Sequence, residues 1–513
     1  MKKELYCSAK AFSKMINLRL LKINNVQLPE GLEYLPNELR LFDWHGCPLK
    51  SLPSNFRLDN VATLNFSFSP IRIPWKGTQL FNTVRSISFK DCQYLNKTPD
   101  FTQAVNLEEV ILKGCRRLRQ IHPSLLIHKN IALLDMTLCT SLTTLPENIH
   151  MESLKKVQLS SCSKLKKFLK IVGSMDCLSE LALDKTAIKE LPLSVELLAG
   201  LTRFNLDDCK NLVSLPITMN GLKSLVSLTL SGCSKHENLP ETLGELKRLR
   251  VLNVSGTAIR KPVSSIFLIN KLHELIFCGC KVPPSNSLAS HQFTSLMPRK
   301  SSDATAFRLP SLSGQCATLA YMVLNDCNLE DESILSDFFS SFSSLHLLDL
   351  SANNFVPLPE GLNYLSKLHT LYLVDSKRLQ SLPELPSNIQ LVDVSGCTSL
   401  ETLSNTLRLC NSNLSNISCG NCLKLTGCTN MAFSMLKEHL NKVSLLFSVY
   451  LSPSVFERLF NSMTFLFLIF FSFFCVQKAP NLRERSDIHE IVLRNDTVLK
   501  FFNGLVIKVR VVQ

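Results

Sequence analysis

The chain has 513 residues, of which 45% are hydrophobic and 19% are charged, and its formal net charge is +14. This composition excludes a chain dominated by disorder, and the length exceeds one ordinary globular core but suits a stacked array. Basic residues are dispersed among acidic ones, so the charge indicates a solvated surface and does not favour direct binding of nucleic acid.

Residues 1–14 read MKKELYCSAKAFSK and carry lysines with no continuous apolar stretch behind them. This pattern is not typical of a secretory signal, so we expect an N-terminal lead-in and no export route. Without export, the 19 cysteines of the chain are expected to be reduced thiols.

A repeat of 23 or 24 residues runs through most of the chain, with the template L-x-x-L-x-L-x-x-C-x-x-L-x-x-L-P. This period is typical of leucine-rich repeats and predicts a solenoid over residues 15–427. The first positions of its 17 repeats fall at Leu18, Leu39, Val61, Val84, Leu107, Ile131, Leu154, Leu178, Leu201, Leu225, Leu249, Leu272, Leu319, Leu345, Leu368, Ile389 and Leu414.

The predicted fold class is α/β, a curved horseshoe built by stacking these repeats. Side chains alternate along the L-x-L segment, so each repeat contributes one short strand to a parallel β-sheet. The rest of each repeat returns as a short helix or irregular arc on the convex side, which leaves the sheet on the concave face. One repeat cannot offset its own ordering entropy, so the array is expected to fold by stacking.

Position nine of the repeat is cysteine eleven times, and small polar Thr186, Thr257, Asn353 and Ser376 replace it elsewhere. The chain turns there, and its backbone polar groups need partners inside the stack. A small side chain that can hydrogen-bond would bridge neighbouring turns, and cysteine also packs as a small hydrophobe. We interpret the column as a structural ladder of Cys47, Cys92, Cys115, Cys139, Cys162, Cys209, Cys233, Cys280, Cys327, Cys397 and Cys422.

The segment CGNCLKLTGC contains Cys419 and Cys422, with Cys428 nearby. C-x-x-C can hold zinc or perform redox chemistry. The repeat already accounts for Cys419 at inward position six and Cys422 at position nine, so the structural interpretation is favoured. Cys278 and Cys280 have a spacing poorly suited to zinc. We therefore predict no metal site.

No phosphate-binding loop, dinucleotide-binding glycine motif, H-E-x-x-H or G-x-S-x-G occurs in the sequence. We therefore predict no catalytic residues, no cofactor and no enzymatic activity. His236 occupies a position where sister repeats place leucine, as at Leu118 and Leu142. It is expected to tip outward at a loosened turn, with a buried and partnered ring as the alternative.

The outward residues of the strand, at positions two, three, five, seven and eight, are predicted to form a face that reads a protein partner. Mixed charge with exposed aromatic side chains suits protein recognition, and an ordinary solvated sheet is the alternative. The candidate contact residues are Lys90, Lys113, Gln158, Asp184, Arg203, Asn205, Asp207, His273, Glu274, Tyr321, Asn325, Asp349, Tyr372 and Gln390.

The regular period is interrupted once and fades at the C-terminal end. The step from Leu272 to Leu319 is 47 residues, and a serine- and proline-rich insertion at about 283–316 is predicted to loop out. Residues 428–458 are predicted to be a capping helical segment and 459–513 an atypical apolar, strand-like tail. Within the tail, Leu459–Val476 has 18 residues without charge and is a marginal candidate for a membrane span, with a buried tail as the alternative.

Several stretches carry a resemblance beyond the period: AFSKMINLRLLKI, LRLFDWHGCPLKSLPSNF, IPWKGTQL, TPDFTQAVNLEEVILKGCRRLRQIHPSL and LSANNFVPLPEGLNYLSKL. They resemble plant intracellular immune receptors of the Toll/interleukin-1-receptor-type nucleotide-binding leucine-rich-repeat (TIR-NB-LRR) family, in its tobacco-mosaic-virus-resistance-like group. The resemblance covers residues 9–440 or so. The family's TIR domain, nucleotide-binding (NB-ARC) domain and C-terminal jelly-roll-like domain have no visible counterpart in this sequence.

The resemblance implies effector sensing and defence signalling in plant innate immunity, in the cytoplasm or nucleus. It implies a protein partner, either a pathogen effector or a host protein, with a nucleotide-binding immune receptor as a further partner. The alternatives are a free-standing leucine-rich-repeat scaffold in general signalling and a truncated resistance-gene product.

Overall fold

A computed structural model of the protein describes residues 5–6, 12, 14–28, 32, 34–52, 56, 58–75, 81–280, 307–310, 312, 316–329, 338–358, 360–402 and 416–425. All of these lie in one compact unit, Met1–Cys428. The predicted capping segment 428–458 and the tail 459–513, with its membrane-span candidate Leu459–Val476, lie outside the described residues, as does most of the insertion.

One parallel sheet runs through the described repeats, and each repeat supplies one strand that pairs in register with the strands of its sequence neighbours. The predicted leucine-rich-repeat solenoid is therefore confirmed. The strands are Leu20–Asn24, Leu41–His45, Thr63–Asn65, Ser86–Ser88, Glu109–Ile111, Leu133–Asp135, Lys156–Gln158, Glu180–Ala182, Arg203–Asn205, Ser227–Thr229, Val251–Asn253, Glu274–Ile276, Tyr321–Val323, Leu347–Asp349, Thr370–Tyr372, Leu391–Asp393 and Asn416–Ser418.

Short 3-10 helices lie on the other side of the repeats, many of them starting after the L-P of the template. Proline suits a helix start because its φ is already fixed near the helical value and it has no N–H to leave unpaired. Because strands stack only about 4.8 Å apart, the bulkier helical side fans outward and the sheet takes the concave side. The 3-10 helices are Pro123–Ile127, Leu193–Leu197, Ile217–Gly221, Glu241–Glu245, Ser264–Leu268 and Glu360–Tyr364.

Two further strand pairs lie outside the main sheet. Leu5–Tyr6, in the N-terminal lead-in, pairs in parallel with Val26–Gln27 of the first repeat. Asn148–Ile149 pairs in parallel with Lys170–Ile171. Both pairs join consecutive parts of the stack.

The core is a continuous column of side chains from positions one, four, six and nine. In the repeat that begins at Leu225, for example, Leu225, Leu228, Leu230 and Cys233 are all fully buried. This spacing places three apolar side chains on the inward side of each strand, which is the burial that the L-x-L pattern predicts.

The long step after Leu272 leaves the sheet unbroken, since Glu274–Ile276 pairs directly with Tyr321–Val323. The prediction that residues 283–316 loop outward is wrong at the C-terminal end of this range. Phe307 is buried with its ring 5.2 Å from that of Phe277, and Cys316 is buried as well. The apolar side chains of this end return to the core, so the chain rejoins the stack by Phe307.

Position eight has a left-handed backbone in every repeat, whatever residue occupies it. Its N–H donates to the position-seven carbonyl of the following repeat, as from Asp91 to Lys113 at 2.7 Å and from Lys185 to Asp207 at 2.7 Å. The positive φ angles occur at Asn25, Gly46, Phe68, Asp91, Gly114, Leu138, Ser161, Lys185, Asp208, Gly232, Gly256, Gly279, Asp326, Ala352, Asp375, Gly396 and Asn421.

Glycine at position eight often follows an aspartate at the same position of the preceding repeat. A Cβ on Gly232 would lie 2.5 Å from the Asp208 carboxylate, whereas a Cβ on Gly279 would meet only Asp326 Oδ2, at 4.0 Å. The two glycines thus share a left-handed backbone, with φ of +76° and +64°, but differ in the space around them.

We expect Gly232→Ala to lower the free energy of unfolding more than Gly279→Ala. Both variants bear the left-handed strain of about 1–2 kcal/mol, and only Gly232→Ala adds overpacking of about 1–3 kcal/mol. Denaturant midpoints of the full chain measure the difference. Adding Asp208→Ala to Gly232→Ala should bring the two glycine variants together, and equal destabilisation of the two single variants would contradict the packing argument.

Candidate functional site

The concave face is formed by side chains that alternate with the buried leucines of each strand. In Ser227–Thr229, the two outer residues are half-buried and Leu228 between them is buried. The same pattern recurs in nearly every three-residue strand. Positions three, five and seven therefore face solvent in register from one repeat to the next, as the alternation predicts.

The ladder thiols lie buried at the turn that follows each strand of this face. Ten of the eleven, all except Cys47, donate to the position-six carbonyl of the preceding repeat, as from Cys92 to Phe66 at 3.0 Å and from Cys139 to Leu112 at 3.2 Å. The same bond is made by Cys115, Cys162, Cys209, Cys233, Cys280, Cys327, Cys397 and Cys422.

Burial favours the protonated form of these thiols, although hydrogen bonds from Cys233 and Cys327 outweigh it and lower the pKa at Cys209 and Cys280. Burial raises the pKa of Cys92, Cys162 and Cys397 to about 12. A thiol that stays protonated at neutral pH is a hydrogen-bond donor and not a nucleophile or a metal ligand. All fifteen described cysteines are free thiols, so the ladder residues are not cross-linked.

The polar replacements at position nine make different bonds. The side-chain oxygen of Asn353 accepts hydrogen bonds from the backbone N–H groups of Cys327 and Leu329, both at 3.1 Å. Its side-chain nitrogen donates to the carbonyl of Leu324 at 2.8 Å. Thr257 donates back to its own strand. The expected bridge is not formed at Ser376, whose buried hydroxyl has no partner among the described residues.

The expectation that His236 tips outward is wrong, because its side chain is 0% exposed. Its backbone N–H donates to the Cys233 carbonyl at 2.9 Å, the bond that Leu118 makes to Cys115. The shared turn therefore directs the imidazole into the space of a leucine. Neither ring nitrogen has a hydrogen-bond partner among the described residues. Desolvation lowers its pKa to about 4, and the nearby Val213 backbone opposes only part of this shift.

The predicted C-x-x-C pair shows no metal-like arrangement in the described part of the chain. Cys422 makes the ladder bond to the Val394 carbonyl at 3.1 Å, and Cys419 is half-buried at position six. Among the described residues, no three histidine, cysteine, aspartate or glutamate side chains are grouped so that they could hold a metal ion.

The fourteen predicted contact residues all fall on positions two, three, five or seven, and their contact with a partner stays a prediction. The structure brings the His273 and Tyr321 rings to 5.0 Å, and the Asn205 amide donates to Asp184 at 3.4 Å. Four of them, Arg203, His273, Tyr321 and Gln390, are exposed, and the others are half-buried.

Sequence reasoning missed several residues of this face. His346 and His369 stack on neighbouring repeats, with ring centroids 5.4 Å apart. Glu180 forms ion pairs with Lys156 at 2.7 Å and with Arg203. Comparing one repeat position down the whole column would have found both groups, because vertical neighbours in the sheet share a position number.

A cavity of about 360 Å³ opens on the N-terminal part of the face. Half of its ten lining residues carry a hydroxyl or amide group, and Lys90 contributes a positive charge. Its lining residues are His45, Thr63, Leu64, Asn65, Ser67, Phe68, Ser86, Ser88, Lys90 and Ile111.

Among the described residues, no helix combines the length and apolar character that a bilayer crossing needs.

No family model matches the chain. Over 388 residues it is 36% identical to TMV resistance protein N of Nicotiana glutinosa, a match that covers 75% of this chain and 32% of that protein. It is 34% identical over 412 residues to the disease resistance-like protein DSC1 of Arabidopsis thaliana, covering 78% of this chain and 32% of the relative. The chain thus spans about a third of the length of both relatives.

Among solved structures, a leucine-rich-repeat protein of Leptospira interrogans aligns over 77% of this chain and 94% of its own, with a TM-score of 0.47 and 20% identity.

Replacing His236 should change how stability depends on pH. The ring is neutral in the folded state down to about pH 4, whereas the unfolded chain binds the proton below about pH 6.5. Stability is therefore lost as pH falls from about 6.5 to 4, by up to about 3 kcal/mol. In His236→Leu and His236→Gln this loss should disappear, and only the leucine should raise stability at pH 7. Denaturant midpoints between pH 4 and 7 test this, and a wild-type pH dependence in His236→Leu would contradict it.

The ladder bond can be tested with substitutions of matched shape at Cys139. Threonine already occupies position nine at Thr186 and Thr257, so it fits the site and keeps a hydroxyl donor, whereas valine has the same shape and no donor. The Leu112 carbonyl also accepts from the Cys115 backbone N–H at 3.1 Å, so the valine removes one of its two bonds, which is worth about 0.5–1.5 kcal/mol. Cys139→Val should therefore unfold at lower denaturant concentration than Cys139→Thr. A valine variant as stable as the threonine variant would show that the bond does not stabilise the stack.

Proposed function

We propose, from the confirmed similarity of its repeats to the leucine-rich-repeat region of plant TIR-NB-LRR disease resistance proteins, that this chain is a non-enzymatic protein-recognition module of plant immunity. Its relatives by sequence are disease resistance proteins, which supports a role in immune recognition. The finer proposal is that it senses a pathogen effector, or a host protein changed by one, in the cytoplasm or nucleus.

The observation that carries this proposal is the free sheet face. Its seventeen parallel strands present side chains in register, and their inward side is fully used for packing. Such a face offers rows of side chains on a rigid backbone, so little ordering entropy is lost when a partner binds.

The aromatic part of the face is the best candidate for an energetic centre. Tyr321 is 40% exposed and its ring lies against His273. Tyrosine combines a large apolar surface with a hydroxyl group and a small rotamer entropy, which is why it dominates many protein interfaces. Tyr372 lies two repeats further along the same face.

A nucleotide-binding immune receptor is a second proposed partner. The chain matches about a third of the length of its relatives, so signalling activity would have to involve residues that the matched region does not include. A recognition module that acts with such a receptor fits the solenoid, which presents a long parallel sheet to a partner.

We expect the full chain to capture a protein from infected plant tissue that healthy tissue does not yield. The double variant Tyr321→Ala with Tyr372→Ala should weaken that interaction by at least about tenfold, since aromatic anchors are often worth 2 kcal/mol or more. The captured protein, once purified, is measured against each variant by calorimetry.

The matched control is Ile217→Ser, which removes an exposed apolar side chain from the convex side. It should leave binding unchanged. Loss of binding in the control, or full binding by the double tyrosine variant, would contradict recognition by the concave face.

A further inference from the structure

Position seven of the repeat carries charge in a segregated order. Two N-terminal repeats place Lys90 and Lys113 there, and two later repeats place Asp184 and Asp207. The repeats between them carry neutral hydroxyl side chains at this position. Because vertical neighbours lie in register, this column forms a stripe that is positive at one end and negative at the other.

The cations of the stripe are free of ion pairs. Within the described part of the chain, neither Lys90 nor Lys113 forms an ion pair with a carboxylate. The acidic side chains on the adjacent columns have other partners: Glu109 accepts from the Ser86 hydroxyl at 2.8 Å, and Asp135 accepts from a backbone N–H at 2.9 Å. Lys90 also lines the cavity on this face.

The carboxylates at the other end lack cations as well. Asp184 accepts from the hydroxyl of Ser160 at 2.5 Å, and Asp207 accepts from the backbone N–H of Ser231 at 2.7 Å. Arg203, which lies in the same repeat as Asp207, is paired with Glu180. Burial, with the neighbouring Asp184 charge adding to it, raises the pKa of Asp207. A cation brought by a partner would relieve this repulsion.

We propose that this stripe, Lys90 and Lys113 with Asp184 and Asp207, docks a protein helix whose charges run in the opposite sense. Acidic side chains of the helix lie over the lysines, one of them at the cavity beside Lys90, and basic side chains lie over the aspartates. The inference rests on the proposed function, because it assigns a partner chemistry to the same concave face.

The spacing sets the size of the segment. Lys113 and Asp184 are three repeats apart and Lys90 and Asp207 are five, which at the strand spacing is about 14 and 24 Å. A helix rises 1.5 Å per residue, so roughly 10–16 residues span this range. A helix of this length with one acidic and one basic end therefore matches the spacing of the stripe.

The test uses synthetic helical peptides labelled with fluorescein, with the full chain as receptor. One peptide carries a glutamate block and a lysine block whose centres are about 19 Å apart. The control peptides carry only the glutamates, only the lysines, or the same charges alternating along the helix. We expect the block peptide to bind at least about tenfold more tightly than each control at low salt, and to lose this preference at high salt.

Variants separate this stripe from general electrostatics. Lys90→Glu with Lys113→Glu should abolish the preference for the block peptide. Adding Asp184→Lys and Asp207→Lys should restore it, because the peptide can bind in the reverse direction. The control pair, Lys223→Glu with Lys247→Glu, changes net charge equally at exposed sites outside the face and should keep the preference.

Asp207 holds a backbone N–H, so the fourfold variant is checked by circular dichroism and its denaturant midpoint. If it fails to fold, the variant with Asp184→Lys alone on the two glutamates replaces it, with partial restoration expected. The proposal is overturned if the block peptide binds no better than the alternating one, if Lys90→Glu with Lys113→Glu retains the preference, or if the control pair removes it. A captured protein that needs Tyr321 and Tyr372 but binds the Lys90 and Lys113 variant normally would reject the stripe and leave the proposed function standing.

Discussion

The structure depends on one backbone bond per repeat, from the position-eight N–H to the position-seven carbonyl of the next repeat. It is formed only because position eight adopts a left-handed conformation, which turns the chain out of the strand and directs its amide along the stack. From Asn25 to Asn421, the backbone keeps this conformation with glycine, aspartate, serine, lysine and even leucine in place. A residue such as Leu138 bears a strain of about 1–2 kcal/mol there, and the bond it permits has no substitute partner inside the stack.

This turn explains which residues occupy positions eight and nine of the repeat. After it, position nine faces inward, next to the position-six carbonyl of the preceding repeat, and a thiol is small enough to fit and still donate. The pairing of aspartate with glycine at position eight has the same origin, because the Asp91 carboxylate occupies the space above Gly114 where a Cβ would lie. One conformational requirement therefore constrains three positions and leaves positions three, five and seven free to vary. The rigid part and the variable part of the repeat are separated by the turn.

The sequence predicts the regular part of this architecture and misses places where a side chain departs from the template. Period, strand position, ladder and concave face follow from leucine spacing, because burial of apolar side chains repeats with the chain. The sequence predicts that His236 tips outward at a loosened turn, but the backbone bonds of this turn are those of a leucine and hold the side chain in the core. The end of the insertion was missed because the aperiodic stretch hides Phe307, which finds the core only in three dimensions. Contacts between repeats, such as the His346 and His369 stack, become visible only when equivalent positions are compared vertically.

Stability alone does not account for the charges on the concave face. Like charges on directly neighbouring strands destabilise a sheet, and opposite charges stabilise it. At position three the chain follows this rule, since Glu180 lies between Lys156 and Arg203 and pairs with both. At position seven it does the reverse, placing Lys90 beside Lys113 and Asp184 beside Asp207. Nothing in the turn or the core requires those residues, because hydroxyl side chains occupy the same position in other repeats. Complementary charges from a partner would offset this repulsion, and this supports the proposal that the stripe is a binding surface.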